Sequence, residues 1–370
     1  MSAARTETGG WLRAQLPGEG AIALAHRALP ELWPRGSLML EFTLLRGEDG
    51  PLPLLHLPPM GSEGLFLSIG IGTGHQLGLI ERRGAAFHAL SIDATAECLA
   101  GGRMRLVWSW DIAAGDSLLT LEALDQATLR QRAGSTPLPP RRAEMAALVA
   151  GASGARPGPR VDWLAIGDHV QPVGPGACFA PATPIATPGG LRPAGSLRPG
   201  DLVETVDAGP QPVLWSGRVM LPALGALRPV RLSAPSFAER TDLWLLPQHR
   251  IALAGPAVDY LFGEEEVLIA AQHLVDGCSA QQPDRPCVLG WQGIMLECHH
   301  LLIADGCRLE SLSAGRLARQ PALARTTALA ALAEAGTLPV HAAPVRRELA
   351  PHEAQALTIA RTQGRGPRAA

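Results

Sequence analysis

The chain has 370 residues, room for two or three domains with separate cores, of which 46% are apolar and 18% charged, with a formal net charge of -2. A balance so near neutrality excludes the basic footprint of a nucleic-acid or anionic-membrane binder. Gly 41 and Pro 33 favour many turns and short strands over long helices.

At the N-terminus, MSAARTETGGWLRAQLPGEG lacks the apolar stretch of a secretory signal. No run further on reaches the roughly 18 apolar residues of a membrane span. The expected location is cytoplasmic, or outside by leaderless export. Strands come first. Leu38, Leu40, Phe42 and Leu44 alternate with Met39, Glu41 and Thr43, and Leu65, Leu67, Ile69 and Ile71 form a second run. Met104, Leu106, Trp108 and Trp110 alternate with Arg103, Arg105 and Ser109, the best period-two stretch in the chain. Gly70, Gly72 and Gly74 do not form a nucleotide loop, because His75 stands where a third glycine belongs and no helix start follows. Residues 1–132 are therefore expected to be an antiparallel β-sandwich.

Residues 133–177 are rich in Pro, Gly, Ala and Arg and read as a linker and junction, with a short helix over Arg142 to Ala150. From 178 to 315 short strands recur between Gly and Pro signals. Arg316 to Ala335 is alanine- and leucine-rich and predicted helical; PHEAQALTIA opens a last short helix, and RGPRAA reads as a disordered end.

The six cysteines, Cys98, Cys178, Cys278, Cys287, Cys298 and Cys307, are too sparse for a disulfide scaffold. Four of them lie near His299 and His300, yet no CxxC pair occurs and the spacings are not those of zinc ligands, so no metal or other cofactor is expected. Cys178 is different, because it follows the permissive Gly174-Pro175-Gly176-Ala177. A thiol there can attack the carbonyl of the preceding residue through a small ring. Free cysteine has a pKa of about 8.5, so something must help form the thiolate, and the departing nitrogen needs a proton donor. His249 in LWLLPQHRIAL and His299 in IMLECHHLLIA stand at strand-like positions to supply one.

The ordered blocks around these residues resemble those of a Hint domain, the autoprocessing fold of hedgehog proteins and inteins, over about residues 178–315. CFAPATPIATPGGLRPAGSLRPGDLVETVD is similar to the opening block of that family, with Thr183, Thr187, Gly189, Leu197, Gly200, Asp201 and Val203 in register. LWLLPQHRIAL resembles the block with the family's histidine. LFGEEEVLIAAQHL and HLLIADGCRLESL resemble later segments of its bacterial intein-like branch, as does the tail VRRELAPHEAQAL. The RMRLVWSWD…SLLTLEAL stretch is similar to lectin-like jelly rolls.

These resemblances imply an all-β chain. A jelly-roll-like antiparallel sandwich is followed by a twisted Hint-type β horseshoe at 178–315 and a short helical tail at 316–370. They imply an N–S acyl shift in which Cys178 attacks the Ala177 carbonyl, so that Ala177–Cys178 is the scissile bond. His249 is then the donor to the leaving amide and His299 a supporting or resolving group. Thr183 supports the first block, Asp201 reads as a turn cap, and Glu310 and Ser311 match without an assignable role. Three positions depart from the family pattern. Leu246 replaces a hydroxyl three residues before His249, Gly293 replaces a histidine, and Ala182-Thr183 replaces Gly-Thr. The chain has no asparagine, so release by succinimide formation, the last step of intein splicing, is closed.

Two readings stay open. In one, the chain cleaves itself, and water or an external nucleophile resolves the thioester and releases the N-terminal domain. In the other, the sandwich binds a ligand or protein partner and the Hint fold is scaffold without catalysis.

Overall fold

The computed structural model describes residues 10–174, 178–315 and 317–364. Ala177, on the acyl side of the expected scissile bond, and the terminal RGPRAA lie outside the described residues. The chain divides into two compact units, Met1–Val173 with Pro286–Val288 and Gly174–Arg285 with Leu289–Ala370. Both are built mainly of antiparallel strands, so the all-β class holds.

The first unit is a sandwich of a seven-stranded and a five-stranded sheet. Strands Arg35–Leu44 and Gly102–Asp111 pair along their whole length, with Leu40 opposite Leu106 and Phe42 opposite Met104. The period-two apolar positions of both strands point the same way. They meet Leu55, Leu67, Ile69, Leu77 and Leu79 of the five-stranded sheet in one core. Burying a side chain of this size contributes about 1.5–3 kcal/mol, and alternation is what directs each one inward.

Two expectations change here. Part of the stretch 133–177 is sheet, not linker, beside the helix expected at 142–150. Val161–Gly167 pairs with Arg35–Leu44 on one side and Trp11–Leu16 on the other, and Arg142–Ala150 is a helix whose Met145 and Leu148 enter the core. VDWLAIG reads as an isolated apolar return because an inner strand is covered on both faces and shows no alternation. Its neighbouring prolines and glycines are turns. The second change concerns Glu41 and Arg105. Alternation would expose them, but both are buried. Glu41 Oε1 accepts from Arg105 at 2.8 and 3.0 Å, Trp163 Nε1 donates to Glu41 Oε2 at 2.9 Å, and Arg105 reaches Glu122 at 3.0 Å.

The second unit consists of smaller sheets. In the largest, Pro184–Thr187, Leu301–Ala304, Cys307–Glu310, Arg250–Ala254 and Glu266–Ala270 follow one another. Trp215–Pro222 pairs with Val288–Met295, and Val230–Leu232 lies between Leu243–Leu245 and Ala280–Gln281. The helix expected over 316–335 is broken into Pro321–Ala324 and Ala330–Glu334, and Arg316 itself lies outside the described residues. Between the pieces, the hydroxyls of Thr326 and Thr327 donate to the carbonyls of Leu323 and Ala324. Those carbonyls are lost to a continuing helix, a recognised effect of hydroxyl side chains. The last helix, Pro351–Gly364, opens on proline, and the Glu353 carboxylate accepts the Ala350 N–H at 2.9 Å. No helix among the described residues is long and apolar enough to cross a membrane.

Candidate active site

Cys178 begins an extended segment laid between two strands. Its N–H donates to Gln292 O at 2.9 Å, and its own carbonyl accepts the Leu246 N–H at 2.9 Å. Phe179 then bridges Leu245 and Gln292 and is fully buried in the core of the second unit. The backbone on the amine side of the expected scissile bond is thus pinned at both polar groups. Cys178 as a residue is half-buried. Burial pushes its pKa well above the ordinary thiol value and the Glu310 charge adds to the rise, while Arg250 opposes both.

His249 follows from a tight turn. After strand Leu243–Leu245 the chain turns at Pro247, closing with His249 N–H to Leu246 O at 3.0 Å and Gln272 N–H to Pro247 O at 2.9 Å. The imidazole is 2% exposed and meets the edge of Phe179 at 5.4 Å between ring centroids. Neither ring nitrogen has a hydrogen-bond partner among the described residues. Burial lowers its pKa to about 4, against the pull of Glu310 and with help from Arg250 and His299. The resting ring is therefore neutral at physiological pH, able to accept a proton at one nitrogen and donate from the other.

Glu310 joins these groups. Its Oε1 accepts the Arg250 N–H at 2.9 Å and its Oε2 lies 3.1 Å from the Arg250 guanidinium and 3.4 Å from His299 Nε2. Burial would raise its carboxyl, but His299, His249 and Arg250 together outweigh that, and it stays below the usual carboxylate range. Glu310 thus lies against Arg250 and His299, and its charge reaches Cys178 and His249. Glu310 is a functional residue that spacing alone could not assign. Its signal is a carboxylate buried on the second face of CRLE, where Cys307 and Leu309 fill the first.

The other positions behave differently. Thr183 is buried and takes part in turn bonds to Ala180 and Ala194, while its hydroxyl has no hydrogen-bond partner among the described residues. Asp201 acts within its own turn. The Arg198 N–H donates to it at 2.8 Å and Arg192 pairs with it at 3.2 Å; these hold its carboxyl below the usual range. The Leu246 side chain, where a hydroxyl was expected, is 7% exposed. His300 N–H donates to Ser311 Oγ at 3.0 Å, which fixes the turn into strand Leu301–Ala304. Among the described residues, no group of three or more His, Cys, Asp or Glu side chains is arranged to hold a metal ion.

Residues 177–316 match the Hint domain family. The Hint segment thus begins one residue before Cys178 and ends beyond Glu310. Of solved structures, the chain is similar to the MchDnaB-1 intein at 16% identity, over 36% of this chain and 98% of that one, with a TM-score of 0.26. It is also similar to the CBM40 module of Ruminococcus gnavus IT-sialidase at 9% identity, over 36% of this chain and 76% of that one, with a TM-score of 0.25. No curated protein matches the chain significantly.

Proposed function

We propose that the protein cleaves itself between Ala177 and Cys178. The Cys178 sulfur bonds to the Ala177 carbonyl carbon and the C–N bond breaks. The thiol proton passes through neutral His249 to the Cys178 nitrogen, which leaves as an amine. Water or an external nucleophile then attacks the thioester, freeing residues 1–177 and restoring the thiol. The observation that carries this reading is His249, buried with neither nitrogen hydrogen-bonded among the described residues and in the field of Glu310. An unsatisfied buried polar group costs about 1–3 kcal/mol, so a neutral imidazole kept there has a use beyond packing. The Gln292 carbonyl supports it from the other side, since an acceptor at the scissile N–H strengthens as that nitrogen gains positive charge. Splicing is not part of the reading, because the chain has no asparagine to cyclise.

The test is the intact mass of purified protein incubated with dithiothreitol or hydroxylamine. The expected products are residues 1–177 and 178–370, faster at alkaline pH because the thiol is held high, and absent in Cys178→Ala. Full-length mass after prolonged incubation, or the same fragments from Cys178→Ala, overturns the proposal.

A second reading has its own support. The thiol is raised, and Leu246 presents buried hydrocarbon where a hydroxyl would hold the scissile amide. On that reading the Hint segment is an inert scaffold, the first unit binds a ligand or protein partner, and the same experiment returns only intact chain.

A further inference from the structure

The family match ends at residue 316, yet the surroundings of His299 are completed by chain beyond it. The Val345 N–H donates to His299 Nδ1 at 3.2 Å, and the His341 ring stacks on the His299 ring at 6.1 Å. His341 is itself pinned, accepting the Ala314 N–H at 3.0 Å with its other nitrogen 3.2 Å from Glu297 O. The strap containing these residues is anchored further along. Arg347–Glu348 pairs in parallel with Glu266–Ala270, the Leu349 N–H donates to Leu268 O at 2.9 Å, and Arg346 bridges Glu266 at 2.9 Å and Asp207 at 2.6 Å. Glu348 also reaches Arg250 at 3.0 Å.

A backbone N–H only donates, so the nitrogen facing Val345 must offer its lone pair. A carboxylate only accepts, so the nitrogen facing Glu310 at 3.4 Å is the one that carries the proton. The Val345 N–H alone thus fixes the tautomer of the neutral ring, whose Nε2–H lies near Glu310 without a hydrogen bond among the described residues. We propose that the strap of residues 341–349 is a positioning element of the cleavage site: its Val345 N–H sets the His299 tautomer whose Nε2–H faces Glu310, and so keeps a proton, not a lone pair, turned towards that carboxylate. His299 is then a positioning residue that acts through Glu310. This inference rests on the self-cleavage reading for its effect on rate, and stands apart from it for the tautomer.

Val345→Pro removes the N–H and keeps an apolar side chain; Val345→Ala keeps the N–H and trims the side chain. Nitrogen-15 spectra of histidine-labelled protein, with the His299 signals identified by their loss in His299→Gln, read the tautomer directly. The expected result is an Nε2–H ring in wild type and Val345→Ala, and a mixture in Val345→Pro. Thiol-induced cleavage in Val345→Pro should be about tenfold slower, the size expected for one orienting hydrogen bond, while Val345→Ala keeps the wild-type rate. An Nδ1–H ring in wild type overturns the proposal, as does a folded Val345→Pro that matches Val345→Ala in spectrum and rate. If melting shows that Val345→Pro does not fold, Arg346→Ala releases the strap's anchor instead, with the same mixture expected. If no variant cleaves, the self-cleavage reading falls, and the tautomer alone supports or overturns the strap's hold on His299.

Discussion

Each unit buries a glutamate that pairs with an arginine, and the two pairs are finished differently. In the sandwich, Arg105 and Trp163 occupy both oxygens of Glu41, and Arg105 has Glu122 as a second partner. Every strong group has its complement, as a buried charge requires if it is only to hold strands together. In the second unit, Arg250 and His299 likewise flank Glu310, but neither ring nitrogen of His249 nor Nε2 of His299 has a hydrogen-bond partner among the described residues, and burial holds Cys178 as a neutral thiol. A closed network rigidifies, whereas one with an open member beside it keeps a proton acceptor in reserve. The contrast separates structural polarity from polarity poised for chemistry.

The comparison can be broken by removing one member from each side. His249→Ala should slow thiol-induced cleavage by about 10²–10⁴-fold, the usual contribution of a proton-transfer group, with a fall in melting temperature limited to the cavity left beside Phe179, since neither ring nitrogen is hydrogen-bonded among the described residues. A large fall in stability with an unchanged cleavage rate would make His249 a packing residue. Glu41→Ala should act in the opposite sense. It leaves buried Arg105 with Glu122 alone and Trp163 Nε1 without its acceptor, and should destabilise the first unit by about 3 kcal/mol, read by chemical denaturation, without altering cleavage measured under conditions where the protein stays folded.

Glu81 sharpens the contrast within the sandwich. It is fully buried, with His88 Nε2 3.7 Å away and neither oxygen hydrogen-bonded among the described residues. Burial raises its pKa from 4.5 to about 8, only partly offset by a backbone contact at Leu138 and by Arg83. The folded unit therefore keeps a proton that the unfolded chain gives up. The associated stability is complete below about pH 4.5 and is lost as pH rises towards 8. His88, lowered by burial, works the other way, losing stability as pH falls below 6.5. Glu81→Gln mimics the protonated carboxyl, so its stability should stay level between pH 6.5 and 8 where wild type declines. Parallel declines in the two proteins would show that Glu81 is not the group responsible.

The smallest expected effect is at Leu246. Leu246→Thr should speed cleavage a few-fold by placing a hydroxyl near the scissile amide, and Gly293→His added to it should speed it further. The melt should drop with it, since a buried, unpaired hydroxyl costs about 1–3 kcal/mol. Folded variants that cleave no faster than wild type would show that these positions do not limit the chemistry.

Some of this was legible in the residues and some was not. The strands at 35–44 and 102–111 showed themselves because one face is core and the alternation is strict. Val161–Gly167 did not, because an inner strand is apolar on both faces and resembles any short hydrophobic run. Cys178 and His249 were found through ordered blocks of motif, whereas Glu310 was visible only as a family position without a role. By itself, the sequence determined the all-β class, the Hint-like segment and the identity of the nucleophile candidate. These depend on local periodicity and on motifs written contiguously along the chain. Tertiary structure alone decided that Glu310 meets Arg250 and His299, that Gln292 accepts the Cys178 N–H, and that Val345 reaches back to His299. Those contacts join residues tens of positions apart, and three of the groups involved are backbone N–H or C=O, which every residue carries and no sequence pattern can mark.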